Sequence, residues 1–212
     1  MSQPTTVGKR RNSKDGLHRI LLAARYEFCR SGLAGARLDA IAQEAAVSKQ
    51  LIHHYFRTKT ELYVAMVDDV TADAIEQLSQ PVYEAHPPDE AIRLFLHTVF
   101  DLFIRWPFMA GLFNDQGLYG GEHIPEHCDF IARAPALKQR LQQIFQQGQR
   151  TGIFKRDLDT DAVFGAGIML TLGGFTSGKI VSSFLAVDFS RPEKLEFWRT
   201  FSADFVLAAL RP

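Results

Sequence analysis

The sequence predicts an all-α fold of about nine helices, and three observations carry that reading. Apolar residues recur at three- and four-residue spacing through nearly every segment. Alternation of apolar and polar residues, the mark of a half-buried strand, never extends over a useful length. Pro and Gly fall between the periodic segments, where helices stop. The 212 residues are 46% hydrophobic and 23% charged, an ordinary globular composition with enough apolar material for a substantial core.

In chain order, residues 1–12 (MSQPTTVGKRRN) are polar, lack periodicity and read as a flexible basic arm. A first helix is expected over Ser13–Ser31, burying Leu17, Ile20, Leu21, Ala24 and Phe28, with Gly32 in the left-handed position that ends helices. Two short helices, Leu38–Ala45 and Lys49–Tyr55, follow around a tight turn. Thr58-Lys59-Thr60-Glu61 sets a hydroxyl before an acidic first turn and starts a helix reaching about Gln80, where Pro81 stops it. Pro88-Asp89-Glu90 opens a helix to Arg105. Phe108–Leu112 continues briefly, and Gly117, Gly120 and Gly121 mark a loop. Ala136–Gln149 is amphipathic through Leu137, Leu141, Ile144 and Phe145 until Thr151-Gly152 breaks it. Asp159 or Thr160 caps a long helix over Asp161–Leu185, and a last helix runs from Pro192 to Leu210.

Function is most legible in Leu33–Leu62, LAGARLDAIAQEAAVSKQLIHHYFRTKTEL. Leu38, Ile41, Ala42 and Ala45 form one helical stripe, and Ile52 and Phe56 an i,i+4 pair on the next helix. Packing these stripes together leaves Lys49, Gln50, His53 and His54 on an uncovered face. Those residue types reach phosphates and base edges in a major groove, so the segment reads as a helix-turn-helix that binds double-stranded DNA. The charge agrees. The formal net charge is zero, but residues 1–60 hold eleven Lys and Arg against four acids, a balance of +7, and the remainder balances it at −7. Such asymmetry joins a polyanion-binding module to one that is not. Lys9, Arg10 and Arg11 of the arm, with Lys14 just after it, either enter a minor groove or stand solvated.

These residues resemble the TetR family of transcriptional regulators. Ile20-Leu21, Ala23-Ala24 and Phe28 before Gly32 are similar to its opening helix. Ile41-Ala42-Gln43-Glu44-Ala45-Ala46-Val47-Ser48 resembles its I-A-x-x-A-G-V-S segment, and Phe56-x-x-Lys59-x-x-Leu62 its F-x-x-K-x-x-L segment. The likeness covers about residues 17–65. It implies a homodimeric regulator, most often a repressor and otherwise an activator or corepressor-dependent regulator, with a C-terminal domain that binds a small effector. It places DNA contacts at Arg37, Ser48, Lys49, Gln50, Leu51, His53, His54, Tyr55 and Lys59. Ala46 stands where the family has a turn Gly, Ala36 and Arg37 where a Thr commonly caps the second helix, and His53 where it usually has Tyr. Strain in the turn and a cap supplied from elsewhere, in part by Asp39, are therefore expected.

Within this head, Arg37, Lys49, Tyr55 and Lys59 are assigned to phosphates and Gln50 to a base edge, its amide matching adenine. Leu51 meets a thymine methyl or packs internally. His53 and His54 donate to guanine or phosphate, and a histidine ordinarily titrates near neutrality, so mildly acid pH is expected to strengthen binding.

The expected domains are 1–12, the arm; 13–60, the head; and 61–212, a helical effector-binding and dimerisation domain. Fifteen of the 17 Phe lie after residue 60. Phe95, Phe100, Phe103, Trp106, Phe108, Phe113, Phe145 and Phe164 either surround a cavity for an apolar or aromatic effector, with His97, Asn114 or Arg105 as polar contacts, or are ordinary core. The small-residue run GAGIMLTLGGFTSG, with Gly167, Leu170, Gly174 and Gly178, and the nearly all-apolar last helix, with Trp198, Phe201 and Phe205, read as the dimer contact. The alternative for the run is a kinked internal helix.

No nucleophile–base pair or phosphate loop appears, so an enzyme with an aromatic cavity is the lesser reading, as is a nonspecific DNA binder. No cofactor is expected. His123, Glu126, His127 and Cys128 could hold a metal, but Pro125 interrupts the spacing and the reading is none. Cys29 and Cys128 are widely separated thiols, which suits a reducing cytoplasm, and no run is apolar enough for a membrane span.

Overall fold

In a computed structural model of the chain the described residues are 6–123, 128–189 and 191–212, with side chains from residue 15 onward. Among the described residues ten α-helices form: α1 (Thr6–Gly35), α2 (Leu38–Glu44), α3 (Lys49–Tyr55), α4 (Lys59–Ser79), α5 (Pro88–Arg105), α6 (Phe108–Leu118), α7 (Asp129–Arg150), α8 (Thr160–Thr176), α9 (Gly178–Leu185) and α10 (Pro192–Leu210). A 3-10 turn, Tyr83–Ala85, precedes α5. The chain divides into two compact units, Met1–Thr71 with Gly111–Cys128, and Ala72–Ala110 with Asp129–Pro212.

The first unit is built on α1. Ile20, Ala23, Ala24 and Phe28 are buried along it, as are Ile41 and Ala42 of α2, Ile52 of α3 and Leu62, Tyr63 and Met66 of α4. Phe28 and Tyr63 meet edge to face with centroids 5.0 Å apart. The nearly buried Arg25 ties α1 to α4 through Asp69 Oδ2, at 2.6 Å from Nη2 and 3.1 Å from Nε. α6 enters this unit through Gly111, which lies so close to α1 that a Cβ there would be 2.3 Å from the Cys29 carbonyl oxygen.

α1 starts at Thr6, not Ser13, so residues 6–12 of the expected arm are helical; residues 1–5 lie outside the described residues. The expected stop at Gly32 is a sharp bend, with φ 65° and ψ 174°, a conformation open essentially to glycine alone. The missing cap of α2 comes from α1. Arg37 offers no side-chain cap, but buried Glu27 accepts its backbone N–H at 3.0 Å and pairs with Arg30 at 2.6 Å. Burial raises the Glu27 carboxyl pKa, and the Arg37 N–H, the Arg30 hydrogen bond and both positive charges outweigh that and lower it overall.

The second unit is organised around α5, buried along Ala91, Ile92, Phe95, Leu96, Val99, Phe100, Leu102 and Phe103 and packed by α7, α8 and α10. Two ion pairs clasp α5 to α10, Arg93–Asp204 and the two-pronged Arg199–Asp101 at 2.7 and 2.8 Å. Arg140 of α7 pairs with Glu84 at 2.6 Å and donates to the Ser79 and Pro81 carbonyls, fixing the α4–α5 connection.

Three boundaries differ from expectation. α6 runs on to Leu118 because Asp115 is buried against α4. α7 begins at Asp129 and includes Pro135, which removes a single N–H donor near the helix start. The helix expected over 161–185 breaks at Ser177, and α8 and α9 diverge by 75°. No single described helix is long and apolar enough to cross a membrane.

Candidate nucleic-acid interface

α3 is held by its two ends and one buried residue. The Ser48 hydroxyl accepts the Leu51 N–H at 3.2 Å, capping the helix, and Ile52 is 1% exposed. Lys49, Gln50, His53 and His54 are exposed, so the expected open face exists. Behind it, the α2–α3 turn closes with Ala46 N–H to Gln43 O at 3.1 Å and Val47 N–H to Ala42 O at 3.0 Å. This pair of bonds is a Schellman motif, whose C′ residue takes a left-handed conformation. Ala46 does so at φ 51°, the conformation that the family's glycine adopts freely and that disfavours a side chain.

Other residues of the head do more than the sequence suggested. Leu51 is half-buried, and its Cδ2 would lie 3.5 Å from a Cβ added to Gly16, so part of its side chain packs on α1. Lys49 Nζ stands 3.0 Å from Asp39 Oδ1, an exposed ion pair linking α3 to α2. Lys59 donates to the carbonyls of Ala34 and Ala36 at 3.0 and 3.1 Å, closing the α1–α2 connection. Two of its three donors are thereby engaged. Tyr55 is half-buried with its ring against His54 at 5.5 Å, and Arg37 is exposed at the start of α2. Thr58 accepts the Glu61 N–H at 3.0 Å and Glu61 the Arg57 N–H at 2.9 Å, a reciprocal cap at the start of α4. Glu27 is the residue a sequence reading missed, and Asp39, expected to help the α2 start, pairs with Lys49. Nothing in the sequence marks Glu27, which lies ten residues before the N–H it accepts.

A model of the tetR family of bacterial regulatory proteins matches residues 20–66, the span of this head. A second, for the tetracyclin repressor-like C-terminal domain, matches residues 88–206. The chain belongs to the tetR family. It is therefore a DNA-binding transcription regulator with a helical C-terminal domain, not an enzyme. It is 25% identical over 192 residues to the transcriptional repressor NicS of Pseudomonas putida, spanning 91% of each chain. It is 29% identical over 164 residues to the transcriptional repressor SCO4008 of Streptomyces coelicolor, 77% of each chain. The crystal structure of SCO4942 from Streptomyces coelicolor superposes with a TM-score of 0.69 at 26% identity, covering 92% of this chain and 98% of that one.

Of the residues expected around an effector cavity, all the aromatic ones but Phe113 lie in the second unit. Phe95 and Phe145 both contact Phe164, with centroids 6.0 and 6.2 Å away, and Phe100 and Phe103 both contact Phe175, at 4.7 and 5.3 Å. Phe95, Phe100, Phe103 and Phe145 are buried in the second unit, with Phe164 and Phe175 half-buried against them. Phe113 is 46% exposed and belongs to the first unit, so it is not part of that set. Trp106 and His97 are half-buried; burial, then the charges of Arg199 and Arg93, lower the His97 pKa. Arg105 is exposed and donates to Gln77 at 3.0 Å, and Asn114 is exposed. A surface cleft of about 410 Å³ lies elsewhere, beside Gly152–Leu158 and Pro212.

The expected dimer residues divide. A Cβ on Gly174 would be 2.8 Å from Trp198, and one on Gly167 would be 3.1 Å from Leu96, so these glycines seat α8 against α10 and α5 of the same protomer. The Trp198 indole N–H donates to the Leu170 carbonyl at 3.1 Å, and Gly178 faces Phe189. Gly167, Gly174 and Gly178 of the run therefore serve internal packing, whereas a Cβ on Gly165 or Gly173 would meet nothing within 4 Å. Phe201 and Phe205 are open, and with Phe197 they form a row of rings along α10, Phe197 and Phe201 stacked at 5.5 Å and Phe201 and Phe205 tilted at 6.0 Å.

Of the suggested metal ligands, Glu126 and His127 lie outside the described residues, and His123 packs its ring against Tyr63 and Tyr119. Among the described residues no three His, Cys, Asp or Glu side chains converge.

Proposed function

We propose that the chain is a homodimeric, ligand-responsive repressor, acting in the cytoplasm on a palindromic operator and released from it by a small, largely apolar effector. The observation that carries the reading is α3, capped by Ser48, seated by Ile52 and presenting Lys49, Gln50, His53 and His54 on one exposed face. Gln50 reads a base edge; Arg37, Lys49 and Tyr55 hold phosphates, and Lys59 adds a phosphate contact through its remaining donor. The row Phe197, Phe201 and Phe205, with Met169 of α8 at 75% exposure, supports a two-fold contact through α8 and α10, since contiguous exposed apolar surface marks an interface. A two-fold dimer sets its two recognition helices about 34–36 Å apart, in successive major grooves. The repressor sense is supported by the repressors NicS and SCO4008.

Binding of Gln50→Ala to an operator and its single-base variants tests the base assignment. The variant is expected to lose about 1–3 kcal/mol of discrimination at one base pair per half-site. Equal weakening on every sequence would remove Gln50 as a reader.

A further inference from the structure

The reading helix α3, KQLIHHY, carries one Lys or Arg, Lys49. Its ammonium stands 3.0 Å from Asp39 Oδ1 and 3.1 Å from Oδ2, so both oxygens of one carboxylate face it. Both side chains are open to solvent, Asp39 at 62% and Lys49 at 47%. The acids of residues 1–60 are Asp15, Glu27, Asp39 and Glu44. Glu27 is buried and serves α2, and among the described residues Asp39 is the one acid paired with a base of α3.

Lys59 offers the contrast. Two neutral carbonyls hold its ammonium, which fixes the group without cancelling its charge. The Lys49–Asp39 pair carries no net charge and attracts a phosphate only weakly, as a dipole. To bind a phosphate, the Lys49 ammonium either leaves Asp39, stranding a carboxylate beside a polyanion, or keeps it and shares its charge. Each course lowers affinity, because backbone binding is driven by counterions released from neutralised phosphates. A stranded carboxylate also gathers a cation from solution and takes back part of that release.

We propose that Asp39 is an affinity-limiting residue of the DNA interface: by pairing with Lys49 it weakens the attraction of the reading helix for phosphates on every sequence. That role rests on the assignment of Lys49 to a phosphate. Its consequence is that the hold of α3 on DNA depends less on the backbone, which all sequences share, and more on side chains such as Gln50 that reach base edges. A purely structural Asp39 predicts the opposite sign. As an acid in the first turn of α2 and a tie to α3 it would steady the head, so its loss would weaken DNA binding.

The test titrates the full chain onto a fluorescent mixed-sequence DNA duplex, from low to near-physiological salt, and reads anisotropy. Asp39→Asn keeps the shape of the side chain and is expected to bind about three- to tenfold tighter near physiological salt. Its logarithmic salt dependence should steepen by up to about 0.9 for each head engaged. Asp39→Glu, which keeps the charge, should show little of either change, and Lys49→Met should weaken binding. Asp39→Ser repeats the measurement if the amide variant does not melt as a folded protein. Unchanged or weaker binding by Asp39→Asn, an unchanged slope, or an equal gain in Asp39→Glu overturns the proposal, and Lys49→Met that still weakens binding then leaves the phosphate assignment standing. Lys49→Met that binds like the wild type removes the assignment and the proposal together.

Discussion

Replacing Ala46 by glycine should stabilise the reading head. Ala46 occupies the left-handed C′ position of a Schellman motif, at φ 51°, and its side chain is exposed, so removing the methyl forfeits no packing. A non-glycine residue in this region costs about 1–2 kcal/mol. Glycine returns about 0.5–1 kcal/mol of that through the greater freedom of its unfolded chain. The net expectation is a gain of about 0.5–1 kcal/mol, smaller than the strain alone. Native-state hydrogen exchange reads it locally, at the Val47 amide that closes the motif onto Ala42. Its exchange should slow about two- to fivefold, and the melting temperature should rise by about 1–4 °C. Ala46→Val should move both the other way, because a β-branched residue tolerates positive φ least. Exchange in Ala46→Gly that is unchanged or faster would show that the turn is not strained, and the reasoning would fail.

Other perturbations probe the same unit. Glu27→Gln removes a charged acceptor from the α2 N-terminus and should cost about 1–2 kcal/mol at neutral pH by urea denaturation. Its native carboxyl sits below the ordinary 4.5, so its stabilisation is complete above that value and lost as pH falls through the native pKa; the variant should show a shallower loss of stability there. Gly111→Ala forces a methyl onto the Cys29 carbonyl and should destabilise by about 1–3 kcal/mol, read as a lower melting temperature. Lys59→Ala should lower both stability and affinity for every DNA sequence, because the ammonium ties the Ala34 and Ala36 carbonyls; lost affinity with unchanged stability would return it to a purely phosphate-binding role. Phe201→Glu should turn the dimer into a monomer by sedimentation, and a dimer of unchanged strength would move the interface off α10.

The parts of the fold legible in the sequence are those whose signals are local. α3, α5 and α10 begin and end as expected because Ser48, Pro88 and Pro192 set their starts within one turn. The strain at Ala46 was legible for the same reason, since the turn demands a conformation and the residue type resists it. What the sequence hid depends on partners distant along the chain. The carboxylate that serves α2 is Glu27, ten residues before the N–H it accepts, on a helix face indistinguishable from a solvated one. Small residues over 165–178 announce a close approach without naming the neighbour, which proves to be Trp198 and Leu96 of the same protomer. Phe residues at helical spacing look alike whether they line a cavity or fill a core. What the sequence could not show is which rings meet, Phe164 with Phe95 and Phe175 with Phe100.

Selection of genomic fragments by the purified protein at near-physiological salt, followed by sequencing of the retained DNA, tests the central claim most directly. The expected result is one shared, approximately palindromic sequence with half-site centres about one helical turn apart. Retention without sequence preference, both alone and with cell extract added, would contradict a sequence-reading role for α3.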